Sequence, residues 1–322
     1  MTRVLDRSKL EMVGIDGANP LGFLAALGTL RALSIIYPDD QVQLAWKVID
    51  GAWRPILSVA HDQLSPETLC GDLAECLASP PQMPLLESDE LGDNLTIAPE
   101  TFRWLGNRFL DEANRGDRHA LASLDFLAAF GTDAAHQPHS KDRKLMQDTA
   151  LRTMSGAGHQ HFIKFMRAII ENTTADHLRR TLFNRWTYED EGRGTNLRWD
   201  PIDDRRYAMR WKNPSSDAAV TMRGANRLAI EALPLFATAP IARQLETTGF
   251  RVRRGAFWSW PIWDQPLNLD VVRSTLQIAA ISDLDTATKD NNLSALGIQT
   301  IYRSQRITVD KFRNFTPAQP VS

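Results

Sequence analysis

Cysteine is scarce in this chain of 322 residues, and the two it has, Cys70 and Cys76, stand six apart on an expected helix. That spacing suits neither a zinc knuckle nor a disulfide framework, so both read as small buried hydrophobes in a reducing compartment. Long apolar runs are missing too. No stretch approaches bilayer length, and the opening MTRVLDRSKLEMVGID has no apolar signal core, so the expectation is a cytoplasmic protein with no membrane partner. Neither charge is in large excess. A net charge of −2 excludes a wholly basic nucleic-acid binder of the histone kind, while leaving room for local basic surfaces balanced by acidic ones. Catalytic signatures are equally thin. GIDGANPLG lacks the Walker lysine and the dinucleotide spacing, and His61-Asp62 stands without the further ligands an HD-type nuclease needs. No cofactor is expected.

A hydrophobic content of 43% is enough for a sizeable core. Residues 10–15 read as a short strand leading into Asp16-Gly17-Ala18-Asn19-Pro20, where Asn19 is a good helix cap and Pro20 suits the first helical position. Residues 21–36 follow as a helix, with Phe23, Ala26, Leu27, Leu30 and Leu33 on one apolar face and Arg31 as its single charge. Residues 41–48 alternate as a strand, so the fold opens strand, helix, strand. Helical patterns over 65–77 and 101–130 flank a Pro/Glu-rich passage at 79–99 that reads as a loop. Residues 132–144 read as polar and mobile, and helices are expected near 160–171, 174–183 and 224–233. The last third turns β-like over 250–263, where Pro261 argues against a central strand, and residues 298–315 read as a basic strand or hairpin. The fold class is a mixed α+β protein, mostly helical, with an N-terminal strand-helix-strand unit and small antiparallel sheets. Its organisation reads as residues 1–78, a loop or linker at 79–100, a helical region at 101–196 and a basic, aromatic α+β region at 197–322, or as one compact domain throughout.

Polar information is densest over residues 197–236. Arg205, Arg206, Arg210, Arg223 and Arg227 stand there among Trp199, Tyr207 and Trp211, and a second basic group follows in Arg303, Arg306, Lys311 and Arg313. Guanidinium forks beside flat rings hold phosphates and stack on bases, which makes these arginines, Lys311 and Trp211 the candidate contacts to nucleic acid or an acidic partner. The competing reading is an internal salt-bridge network of Asp200, Asp203 and Asp204 with Arg205, Arg206 and Arg210. A helix starting near Gly224 adds free N–H groups beside Arg223 and Arg227, an anion site that a carboxylate of the protein itself could fill. A different chemistry is open to His136, His139, His159 and His161. With Asp133 or Asp142 they could hold zinc or manganese, although their spacing matches no known zinc motif.

The phrases GIDGANPLGFLAALGTLRAL, SGAGHQHFIKFMRAI, RWDPIDDRRYAMRW, RGANRLAIEALPLF, TTGF and WPIW resemble CRISPR-associated proteins of the type I-G (formerly I-U) systems. The resemblance is to a helicase-extension family with some similarity to Cascade large subunits. It implies antiviral defence, with crRNA or target DNA and other effector subunits or the helicase-nuclease as partners. The expected role is a non-enzymatic subunit or adaptor. The alternative is a metal-dependent hydrolase or nuclease using the cluster from His136 to His161.

Overall fold

The computed structural model describes residues 7–39, 41–60, 64–78, 84–136, 145–154, 161–191, 196–203, 220–241, 244–253, 255–283, 291–309 and 312–321. The chain is an α+β protein whose strands form small antiparallel sheets around two central helices. In order it runs β1 (Ser8–Glu11), α1 (Pro20–Ile36), β2 (Gln43–Ile49), β3 (Ala52–Val59), α2 (Pro66–Ala78), α3 (Pro84–Glu87), α4 (Pro99–Asn114), α5 (Arg118–Phe130), β4 (Gly131–His136) and β5 (Met146–Asp148). It continues as α6 (Phe162–Asn172), α7 (Ala175–Phe183), β6 (Asp190–Glu191), β7 (Val220–Thr221), α8 (Arg223–Ala232), β8 (Thr238–Ile241), β9 (Gln244–Thr247), β10 (Phe250–Val252) and β11 (Ala256–Trp263). The last elements are α9 (Leu269–Leu276), α10 (Ala279–Ser282), α11 (Asn291–Ala295), β12 (Ile298–Val309), β13 (Phe312–Phe315) and β14 (Gln319–Pro320).

Helix α1 begins where the sequence says it should. Asn19 Oδ1 accepts from the amides of Leu21 at 2.8 Å and Gly22 at 3.2 Å, and Pro20 gives up no hydrogen bond at the first helical position. Every residue from Pro20 to Leu33 is buried, as a helix apolar on nearly all sides requires. Its main partner is α8, and the two backbones touch. A Cβ on Gly28 would overlap the Leu228 carbonyl, so no side chain fits there.

The strand after α1 does not return to β1. Asp50 and Gly51 both take positive φ, 51° and 76°, and turn β2 back into β3 as a tight hairpin. β3 then pairs antiparallel with both β1 and β2 and separates them. The Asp-Gly pair between two strand-like runs is a hairpin signal that the opening strand-helix-strand reading passes over.

Above α1 lies the sheet β10-β11-β12-β13, with β14 also on β12. Trp258 and Trp260 alternate onto its core face, and a register shift between Ile262 and Trp263 brings Trp263 to the same side, 6.1 Å from Trp46. Phe23 of α1 fills the space between them, 5.7 Å from the Trp260 ring and 5.9 Å from that of Trp46. The indoles of Trp260 and Trp263 donate to the carbonyls of Gly17 and Leu44 at 2.9 and 2.8 Å, which satisfies their polar atoms in the interior. Pro261 sits in a strand with neighbours on both sides. β10 pairs only with residues 256–258, however, so at Pro261 the edge away from β12 needs no N–H. The opposite face of this sheet carries a small separate cluster of Ile281, Leu293, Ile298 and Ile301.

Three stretches differ from expectation. Residues 79–100, expected as a loop or linker, carry α3 and bury Leu85, Leu86, Leu91 and Leu95 in the main core. The pattern over 101–130 divides into α4 and α5 at Gly116, whose φ of 94° ends one helix, while Asp117 caps the next. Of the stretch 132–144 expected as mobile, residues 132–136 belong to β4, which pairs with β5.

Candidate nucleic-acid interface

Strand alternation places Arg306 on the core face of β12, opposite Phe315, and Arg313 opposite Thr308 on the same face of the β12–β13 hairpin. The face is aromatic at Trp258 and Phe315 and becomes cationic two residues further out. Both arginines reach the turn that follows β5. Arg306 Nη1 donates to the Ala150 carbonyl, and Arg313 Nη1 reaches that of Arg152 at 3.4 Å. Arg152 pairs with Asp148 at 2.5 Å and donates to the Met154 carbonyl at 3.1 Å, while its Nε is buried with no partner. The side chain of Arg152 is 8% exposed.

The turn itself is fixed from several sides. Thr149 N donates to the Phe130 carbonyl at 2.9 Å, Ala150 N to Thr247 Oγ1 at 2.9 Å, and the Trp199 indole to the Leu151 carbonyl at 2.9 Å. Thr153 Oγ1 adds a 2.5 Å bond to the Leu197 carbonyl. Carbonyls held this rigidly define where the two hairpin guanidiniums rest. Burial pushes the Arg306 pKa down to about 10, and the positive charges of Arg313 and Arg152 push the same way against Asp148. Arg313 is lowered by burial and by Arg152, again with Asp148 opposing. Arg306 keeps its proton at neutral pH. Its charge is held at a cost that an anion would relieve.

The other sequence candidates scatter. Arg303 occupies the opposite face of β12, donating to Ser259 Oγ at 2.9 Å and to the Asp283 carbonyl at 2.7 Å. Arg227 is 2% exposed and donates to Glu231 at 2.8 Å and to the Leu77 carbonyl at 3.0 Å, so its charge is matched inside the protein. Arg223 stands at the start of α8. The anion at that helix terminus is Asp190, whose Oδ2 accepts from the Arg223 amide at 2.8 Å while its Oδ1 accepts from Arg180 at 2.9 Å. The protein fills this site with its own carboxylate. Trp199 is fully buried, and Asp200 accepts from Asn19, Tyr188 and the Ile202 amide.

Arg205, Arg206, Arg210, Trp211 and Lys311 lie outside the described residues, as do His139, His159 and Asp142. His136 ends β4, His161 precedes α6, and Asp133 is paired with Arg103 at 2.8 Å. Among the described residues no group of His, Cys, Asp and Glu is placed to hold a metal ion. Among them, too, no helix is long and apolar enough to cross a membrane. The turn Pro201–Asp203 packs on β13, so the described chain breaks off toward residues 204–219 beside the arginine cluster. The described part of residues 197–236 that lies beside the cluster is this turn, while Arg223 and Arg227 stand on α8. Sequence reasoning missed Arg152 and Asp148, which stand in MQDTALRTM with no charge run or aromatic to mark them.

Comparison with known family profiles, curated proteins and solved structures gives no match.

Proposed function

We propose that the protein binds nucleic acid through Arg152, Arg306 and Arg313 and serves as a non-enzymatic subunit or adaptor of a type I CRISPR effector, contacting crRNA or target DNA and other effector subunits. The carrying observation is the cluster at the β12–β13 hairpin, where among the described residues the guanidiniums of Arg152, Arg306 and Arg313 gather around the single carboxylate of Asp148. Arginine forks matched to phosphate oxygens are the usual protein side of such contacts. The resemblance of the quoted phrases to type I-G proteins supplies the biological setting. Arg205, Arg206 and Arg210, which follow the turn Pro201–Asp203 in sequence, are further candidate contacts in this reading.

The test is binding of labelled crRNA and target duplex to the full chain, followed by anisotropy across a salt series. Each phosphate contact adds roughly 0.7 to 0.9 to the log-log salt slope. Arg306→Gln and Arg313→Gln should each weaken binding and shallow that slope by about one. Unchanged affinity and slope in both variants would sink the assignment.

A further inference from the structure

Building on that nucleic-acid reading, we infer that the arginine cluster is a receptor for a terminal phosphate monoester, the phosphorylated end of a nucleic-acid strand, rather than for the phosphodiesters along it. The argument starts from charge. Among the described residues Arg306 and Arg313 have backbone carbonyls as hydrogen-bond partners, and Asp148, paired with Arg152 at 2.5 Å, offsets the three positive charges with a single negative one. A carbonyl satisfies a donor but brings no net charge. A terminal phosphate carries between −1.5 and −2 at neutral pH, as a phosphorylated side chain does, whereas an internal phosphodiester carries only about −1.

Donor number agrees. Each guanidinium has five N–H donors. Arg306 and Arg313 each spend one on the turn, and the Nε of Arg152 is buried with no partner. A monoester offers three terminal oxygens, against two on a diester. Burial adds to this. Arg152 is nearly sealed, and Arg306 rises from the core face of β12 directly opposite the buried Phe315. Charge held this far from water is worth more to a dianion than to a monoanion.

The experiment uses the full chain and one oligonucleotide sequence, as RNA and as single-stranded DNA, with a 5′-phosphate, a 3′-phosphate or hydroxyls at both ends. Binding of one phosphorylated form should be at least about tenfold tighter than that of the hydroxyl form, the worth of one charge-assisted hydrogen bond. Arg306→Gln and Arg313→Gln should each erase that advantage. Arg306→Lys should recover only part of it, since an ammonium keeps the charge but loses the fork. Melting curves identify any variant that fails to fold, and Arg313→Gln decides if Arg306→Gln does.

Equal affinity for all three ends would overturn the terminal-phosphate claim. If Arg306→Gln still weakened every oligonucleotide, backbone binding would survive that result. If it weakened none, both readings would fall. A phosphoserine peptide that bound better than the phosphorylated oligonucleotides would also overturn the claim, by assigning the receptor to a protein partner.

Discussion

The α1/α8 contact and the β12–β13 hairpin both gather arginines around one carboxylate, and they solve the charge problem differently. In the first, Glu231 accepts from Arg31 at 2.7 Å on one oxygen and from Arg227 at 2.8 Å on the other. Arg227 also donates to the Leu77 carbonyl, and Arg31 lies over the Phe126 ring at 5.5 Å. All three side chains are at most 5% exposed, and both carboxylate oxygens are used. In the second, Asp148 is shared electrostatically by Arg152, Arg306 and Arg313. One group is sealed between helices whose backbones touch. The other stands at the outer end of a hairpin, beside a turn leading to further arginines. Arginine content alone therefore separates nothing; the ratio of guanidinium to carboxylate does.

The largest expected effect is at Glu231. Replacing it with Gln leaves Arg31 and Arg227 as buried cations with no counter-charge, and breaking a buried ion pair costs about 3 to 5 kcal/mol. Urea melts of Glu231→Gln should show that loss, and a loss under about 1 kcal/mol would place the triad in contact with water instead. A second expectation runs the other way. Because burial and like charges depress the Arg306 pKa to about 10, carrying its charge costs the folded state stability relative to the unfolded chain. Arg306→Gln should therefore melt no lower than the parent. The parent alone should gain stability from added inorganic phosphate, by about 2.7 kcal/mol at a hundredfold excess over its Kd. A phosphate response that persisted in Arg306→Gln would move the anion elsewhere.

How much of this was legible in the sequence depended on range. The α1 start was written in Asn19-Pro20, and the burial of its whole length in the lack of polar residues. Local signals of that kind travel well. The β2–β3 hairpin was written in Asp50-Gly51 and overlooked, and the divided helix at Gly116-Asp117 was overlooked in the same way. The candidate site is different. Charge marks Arg306 and Arg313 but equally Arg303, Arg223 and Arg227; alternation along β12 puts Arg303 and Arg306 on opposite faces, and the tertiary fold decides which face is the core. The partnership of Arg227 with Glu231 could have been suspected at i and i+4. That of Arg306 with residues 148–152 spans about 150 positions of chain, and no local pattern encodes it.

A third buried carboxylate extends the comparison, with the smallest expected effect. Asp200 is 2% exposed, and its described partners are neutral: Asn19 Nδ2 at 3.1 Å and the Ile202 amide at 3.0 Å on one oxygen, and the Tyr188 hydroxyl at 3.0 Å on the other. Burial raises its pKa above the ordinary aspartate value despite those three donors. A carboxyl whose folded pKa lies above its unfolded one contributes stability that is fully present below the unfolded pKa. That contribution is lost as pH rises through the folded pKa, because the folded state holds the proton longer. Asp200→Asn removes the titration and keeps the oxygen that accepts from Asn19 and Ile202, while the Tyr188 hydroxyl can turn to accept from the new amide. The variant should gain on the parent in urea melts as pH is raised from about 4 toward 7, the loss seen at Glu231 being absent because no guanidinium is stranded. Subtracting the two pH profiles cancels the other titrating groups. A difference that stayed flat, or that favoured the parent as pH rose, would mean that Asp200 is ionised at little cost and has a cationic partner after all.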